Sequence, residues 1–169
     1  FIMSQTVIAK FGGTSVADSV AMNSSADVVL SNPDVKVVVL SASAGVTNLL
    51  VALAEGCSPA DRTDKIEQIR NIQYKILDKI PGSQVVHEEI DRILENITTL
   101  SEAASLATSA ALTDELVSHG ELMSTLLFVE LLRSRNVNAE WFDVRKIMIT
   151  NDRFGKAEPN VQALLDLCN

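Results

Sequence analysis

Three short clusters hold the residues best suited to chemistry: Lys10-Phe11-Gly12-Gly13-Thr14-Ser15, Ser41-Ala42-Ser43-Ala44-Gly45-Val46-Thr47, and Ser118-His119-Gly120-Glu121. In the first, a lysine closes a short β-branched run and two glycines follow before a helix begins. Such a turn aims backbone N–H groups, a helix N-terminus and one ammonium at the same point, which is the chemistry of an anion site. Glycine suits it because a phosphate oxygen reaches the backbone only where no Cβ stands in the way, and because the turn could require positive φ. The lysine precedes the glycines, so the segment is not a Walker A loop. A tight strand-to-helix turn with a solvated lysine accounts for the same residues.

The second cluster offers three hydroxyls among side chains small enough to admit a ligand, although Thr47 could equally serve as an N-cap. In the third, Val117, Glu121, Ser124, Phe128 and Leu132 share one helical stripe, so Glu121 lies on a largely apolar face where a carboxylate needs a partner. Gly120 costs a helix interior about 1 kcal/mol relative to alanine, which makes sense if something approaches the backbone closely. An ammonium-bearing ligand satisfies both observations, and so does a core arginine. His119 reads as a helix-border residue, with no cysteine or second histidine near it to suggest a metal.

The elements that must position these clusters follow from pattern. Residues 6–11 and 35–40 read as buried strands, the second nearly continuous in apolar residues as in parallel sheets, with a helix over 18–30 between them: a βαβ unit. Helices are expected over 48–55, through Ile66, Ile69, Ile76 and Ile80, through Val86, Ile90, Ile93, Ile97, Leu100 and Ala104, and from an N-cap at Thr113 to about Arg135. Residues 140–144 form a third strand candidate and 161–167 a further helix. The fold class is therefore α/β, an open, mainly parallel sheet sandwiched between helices. Few strands stand against much helix, so the sheet is expected to be incomplete at its C-terminal side. Polar loops at 143–146 and 151–155 could line a site or be solvated turns.

The chain has 169 residues, 47% of them hydrophobic and 21% charged, the balance of a globular domain able to bury a core. No apolar run nears the length of a membrane span, and the opening residues resemble no leader, so the cytoplasm is the expected compartment. Met3 reads as a natural initiator, which sets Phe1 and Ile2 outside the fold reasoning. A formal charge of −8 with no basic cluster argues against nucleic acid. Cys57 and Cys168 stand far apart, without metal-ligand spacing.

In order and spacing, the string from Lys10 to Val16, the loop from Ser41 to Thr47 and the Ser118-His119-Gly120-Glu121 helix resemble aspartokinases, members of the amino acid kinase family. Carbamate, acetylglutamate, glutamate and uridylate kinases share the lysine-glycine opening, whereas the full string and the SxGE helix are like aspartokinase. Residues 116–130 and 141–159 further resemble the lysine-sensitive, single-function bacterial type. The resemblance implies an amino acid kinase fold over residues 4–169. It also implies transfer of the γ-phosphoryl group of MgATP to the β-carboxylate of L-aspartate, the first step toward lysine, threonine and methionine. By that resemblance Lys10 is catalytic and faces the transferring phosphate with Gly12, Gly13, Thr14 and Ser15. Ser41 and Thr47 hold aspartate, and Glu121 pairs with its α-ammonium. Mg2+ is carried mainly by the nucleotide phosphates, with no metal site of protein ligands. Family members continue beyond position 169 with an arginine and an aspartate of the site, the nucleotide-binding segment and paired ACT domains that bind lysine, and they form homo-oligomers. The chain alone is thus expected to be inactive. The rivals are another amino acid kinase acting on a different acid, and a noncatalytic domain that keeps the phosphate loop as architecture.

Overall fold

The β-branched runs do form strands, and they pair in parallel because a helix long enough to cross back over them lies between. Residues 5–143 are described by the computed structural model. Their order is β1 (Val7–Phe11), a short 3-10 turn (Gly13–Val16), α1 (Ser19–Ser31), β2 (Val35–Leu40), α2 (Val46–Ala54), α3 (Pro59–Leu77), α4 (Gln84–Leu106) and α5 (Ala110–Ser134). The parallel register sets Ile8 beside Val37, Lys10 beside Val39 and Phe11 beside Leu40. Both strands therefore end at the same edge, and the two loops that carry candidate residues leave it side by side.

Side chains alternate across a strand, and the consequence is visible in burial. Ala9, Phe11, Val38 and Leu40 pack against the helical core, and so does Val35, which precedes a register irregularity that breaks the alternation. Ile8, Val37 and Val39 point to the other face and remain 64%, 47% and 45% exposed. The expected parallel α/β arrangement is thus present as a two-stranded sheet whose helices cover one face among the described residues.

Local signals explain the helix starts. The Asp18 side chain accepts a hydrogen bond from the Ala21 N–H at 2.8 Å and caps α1. Ser58 caps α3, with Pro59 at its first position, where a missing N–H costs nothing. Two expected boundaries are corrected. The last helix begins at Ala110, not at Thr113, because the Ser109 hydroxyl takes the Leu112 N–H at 3.1 Å while the Thr113 hydroxyl donates to the Ser109 carbonyl. Likewise α2 starts at Val46, with Gly45 before it at φ 89°, so Thr47 lies inside the first turn and is not its cap.

Along α5 the buried residues Leu116, Gly120, Met123, Leu127, Phe128 and Leu131 recur every three or four positions. That stripe lies against the sheet and against α2 and α4, and each large side chain removed from water adds about 1.5–3 kcal/mol. The Phe11 and Phe128 rings, 6.5 Å apart between centroids, fasten the end of β1 to this helix. The third strand expected at 140–144 is not formed over its described residues. There the Trp141 indole donates to Thr125 Oγ1 at 2.9 Å and Arg133 Nε donates to the Ala139 carbonyl at 2.9 Å, so the segment docks on α5 and pairs with no strand. Val144, the remaining loop residues and the helix expected at 161–167 lie outside the described residues.

Candidate functional site

The loops after β1 and β2 are clasped backbone to backbone. The Ala44 N–H donates to the Gly13 carbonyl at 3.1 Å, and the Ser41 N–H donates to the Phe11 carbonyl at 3.1 Å. A Cβ at Gly13 would stand 2.7 Å from the Ala42 carbonyl oxygen, so only glycine permits this approach. Gly12 differs: an added Cβ meets nothing within 4 Å, which leaves its backbone open to an incoming group. Neither glycine has positive φ. The demand at Gly13 is closeness to the neighbouring loop, and the access required by an anion exists at Gly12.

Beyond the glycines, the 3-10 turn is held by the Ser15 N–H, which donates to the Gly12 carbonyl at 3.1 Å. The buried Ser25 hydroxyl of α1 donates to the Ser15 carbonyl at 2.7 Å. Thr14 is exposed, and Ser15 is half-buried. The expected helix N-terminus is therefore one short turn, separated from the start of α1 at Ser19.

Glu121 reaches the same region from α5. It lies at the border of the buried stripe and not within it, since the residue is exposed while Ser124, Phe128 and Leu132 are buried. Its carboxyl is nevertheless held above the ordinary carboxylate range, chiefly by lost hydration among its neighbours, with the Lys10 ammonium pulling the other way. Lys10 and Glu121 are thus electrostatic neighbours. They form no direct salt bridge among the described residues.

Gly120 has a different explanation from the one its sequence suggests. A Cβ there would lie 2.8 Å from Ala42 Cβ, 3.1 Å from Leu50 Cδ1 and 3.3 Å from Val46 Cγ1. The group that approaches the helix backbone is the protein's own second loop and α2, not a ligand. This packing sets the Ser41 backbone beside the Glu121 turn, since the Ser124 hydroxyl lies 2.8 Å from the Ser41 carbonyl and 3.2 Å from the Glu121 carbonyl, while Thr47 belongs to the first turn of α2. Ser41 is half-buried and Thr47 is exposed. His119 is buried, with Nδ1 2.7 Å from the Glu115 carbonyl of its own helix.

One contact went unread in the sequence. The Ser124 hydroxyl, fully buried, donates to the Ser41 carbonyl at 2.8 Å. A polar residue three positions after Glu121 on an apolar stripe was the available signal. Separately, a groove of about 400 Å3 lies between α4 and α5, lined by Ile93, Leu122, Leu126 and Trp141 with Glu89, Arg92 and Asn96; none of the candidate residues lines it.

The backbone at Gly12 is open to an approaching group, and Lys10 lies two residues before it at the end of β1. Among the described residues no group of three His, Cys, Asp or Glu side chains is placed to hold a metal ion.

Comparison with known proteins gives consistent findings. The amino acid kinase family is recognised over residues 5–167. The chain is 68% identical over 165 residues to lysine-sensitive aspartokinase 3 of Escherichia coli K12, an alignment covering 98% of this chain and 37% of that protein. It superposes on the crystal structure of E. coli aspartokinase III in complex with aspartate and ADP with a TM-score of 0.95 and 67% identity, over 97% of this chain and 37% of that one. The Clostridium acetobutylicum aspartate kinase, 18% identical with a TM-score of 0.72 over 96% of this chain and 35% of that one, shares the fold. The chain thus spans little more than a third of the length of these relatives.

Proposed function

Because this chain belongs to the amino acid kinase family, we propose that it supplies the amino-acid-binding and phosphate-facing part of an aspartate kinase. The observation that carries this reading is the convergence of the Lys10 charge and the Glu121 carboxyl at the edge where β1 and β2 end.

The reaction joins two anions. A carboxylate is already a nucleophile and needs no general base, but a like-charge pair at about 4 Å opposes approach by about 4 kcal/mol at an effective dielectric of 20. Placed cations and N–H dipoles offset that cost, as in phosphoryl transfer generally. In this reading Lys10 faces the transferring phosphate, Gly12 and Gly13 lie beneath it, and Thr14 and Ser15 complete the loop. ATP supplies the γ-phosphoryl group, with Mg2+ borne on its phosphates. Ser41 and Thr47 hold aspartate, while Glu121 takes the α-ammonium. The raised affinity of Glu121 for its proton favours that role, since a second cation beside it, like Lys10, stabilises the ionised form. An acceptor without an α-ammonium would leave Glu121 without this partner, which favours an amino acid over other acids.

A further part of the proposal is that the chain is inactive alone and works within a longer, homo-oligomeric cytoplasmic enzyme; its span of little more than a third of its relatives' length supports the first of these. Fusing these residues to the remaining length of the E. coli relative tests both. Aspartate-dependent ADP release by the hybrid and none by the 169-residue chain is the expected result. A hybrid that turns over a different acid contradicts the substrate assignment, and turnover by the chain alone contradicts its incompleteness.

A further inference from the structure

Resting on the aspartate kinase reading, we propose that Ser124 is a positioning residue that fixes the Ser41 loop relative to Glu121. Its hydroxyl is fully buried on α5 and donates to the Ser41 carbonyl at 2.8 Å, with the Glu121 carbonyl also 3.2 Å away. One side chain therefore touches the backbone of both segments that carry candidate aspartate-binding groups. The other α5 hydroxyls do something else. Ser118, Thr125 and Ser134 donate to carbonyls of their own helix, and Thr113 to that of its cap.

The loop needs such an anchor. Ala42, Ala44 and Gly45 offer little side chain to hold it, and its backbone is tied to the β1 side by the Ser41 N–H to Phe11 and the Ala44 N–H to Gly13. Ser124 supplies the hydrogen bond on the α5 side, where Ala42 also packs against Gly120. Without it a half-buried carbonyl loses its donor, and the loop relaxes toward another. A substrate gripped simultaneously by Ser41 and Glu121 tolerates only about 0.5 Å of misplacement. The phosphate loop, held through Gly13 and Ser25, keeps its own supports.

The test uses the full-length hybrid described above. Ser124→Ala is expected to raise KM for aspartate about tenfold, the effect of one buried hydrogen bond, and to leave KM for ATP within about twofold. Ser134→Ala, which removes a hydroxyl bonded within its helix, leaves both constants unchanged. Should Ser124→Ala fail to fold, Ser124→Cys, with a side chain of similar shape and a weaker donor, is expected to raise the aspartate constant alone by a smaller factor. A purely structural serine would lower melting temperature while the two Michaelis constants stay put or rise together, and that result overturns the inference. Absence of aspartate-dependent turnover in the unsubstituted hybrid overturns the aspartate kinase reading itself, and the role of Ser124 with it.

Discussion

Gly120→Ala sets two opposed effects against each other, and the distances decide between them. Replacing a glycine inside a helix by alanine ordinarily stabilises by about 1 kcal/mol. Here the new methyl would meet Ala42 Cβ at 2.8 Å, Leu50 Cδ1 at 3.1 Å and Val46 Cγ1 at 3.3 Å. The tips of Leu50 and Val46 can yield by rotation. Ala42 Cβ is fixed to its backbone and moves only if the loop moves. Overpacking of this kind costs about 1–3 kcal/mol, and the fixed Ala42 contact at 2.8 Å puts this site in the upper part of that range, at about 2–3 kcal/mol, so the net expectation is a loss of about 1–2 kcal/mol after the propensity gain. For a chain of this size that lowers the melting temperature by about 2–8 °C. Thermal unfolding followed by circular dichroism measures it. Adding Ala42→Gly should recover at least about 1 kcal/mol relative to the sum of the single effects, because it removes the closest partner. A variant as stable as the parent, or an additive double variant, would refute the close approach of the second loop to α5.

The glycines after β1 should part company. Gly13→Ala drives a methyl into the Ala42 carbonyl and is expected to destabilise by about 2 kcal/mol or more, whereas Gly12→Ala meets open space and should change stability by less than about 0.5 kcal/mol while raising KM for ATP in the hybrid. Urea unfolding of both variants, with hybrid kinetics of the second, checks this. For Glu121 the sign follows from a folded pKa above its ordinary value of 4.5: the native state holds the proton more tightly, so stability falls as pH rises through that window. Glu121→Gln should therefore be as stable as the parent or more so at pH 7, with the advantage shrinking at lower pH as the parent carboxyl protonates. Melting curves across pH show it, and aspartate-dependent turnover of the hybrid should be lost at the same time.

Much of this architecture was legible because it is written in local pattern. The β-branched runs, Asn32-Pro33 between α1 and β2, and Gly56 before Pro59 mark β1 through α2 to within about two residues, whereas Ile80, read as part of α3, lies beyond that helix's end at Leu77. Where two cap-forming residues compete, as Ser109 and Thr113 do, composition favoured the one followed by acidic residues, but the hydrogen bonds favour the other. The 140–144 segment had strand composition, yet Trp141 is drawn onto α5 by its indole contact, a tertiary preference that alternation does not express. At the site, the sequence marked which residues carry charge and which lack a Cβ. It could not say what approaches Gly120, since a ligand and a neighbouring loop impose the same demand. Nor could it identify Ser124 as the link to Ser41, 83 positions away along the chain.

The nearness of Lys10 and Glu121 is open to direct measurement by following the Glu121 carboxyl carbon by NMR across pH, in the parent chain and in Lys10→Met. Removing the ammonium takes away the interaction that draws this pKa down, so the carboxyl should titrate at still higher pH in the variant, and added salt should narrow the gap. An identical titration in both proteins would place the two groups too far apart to share a substrate.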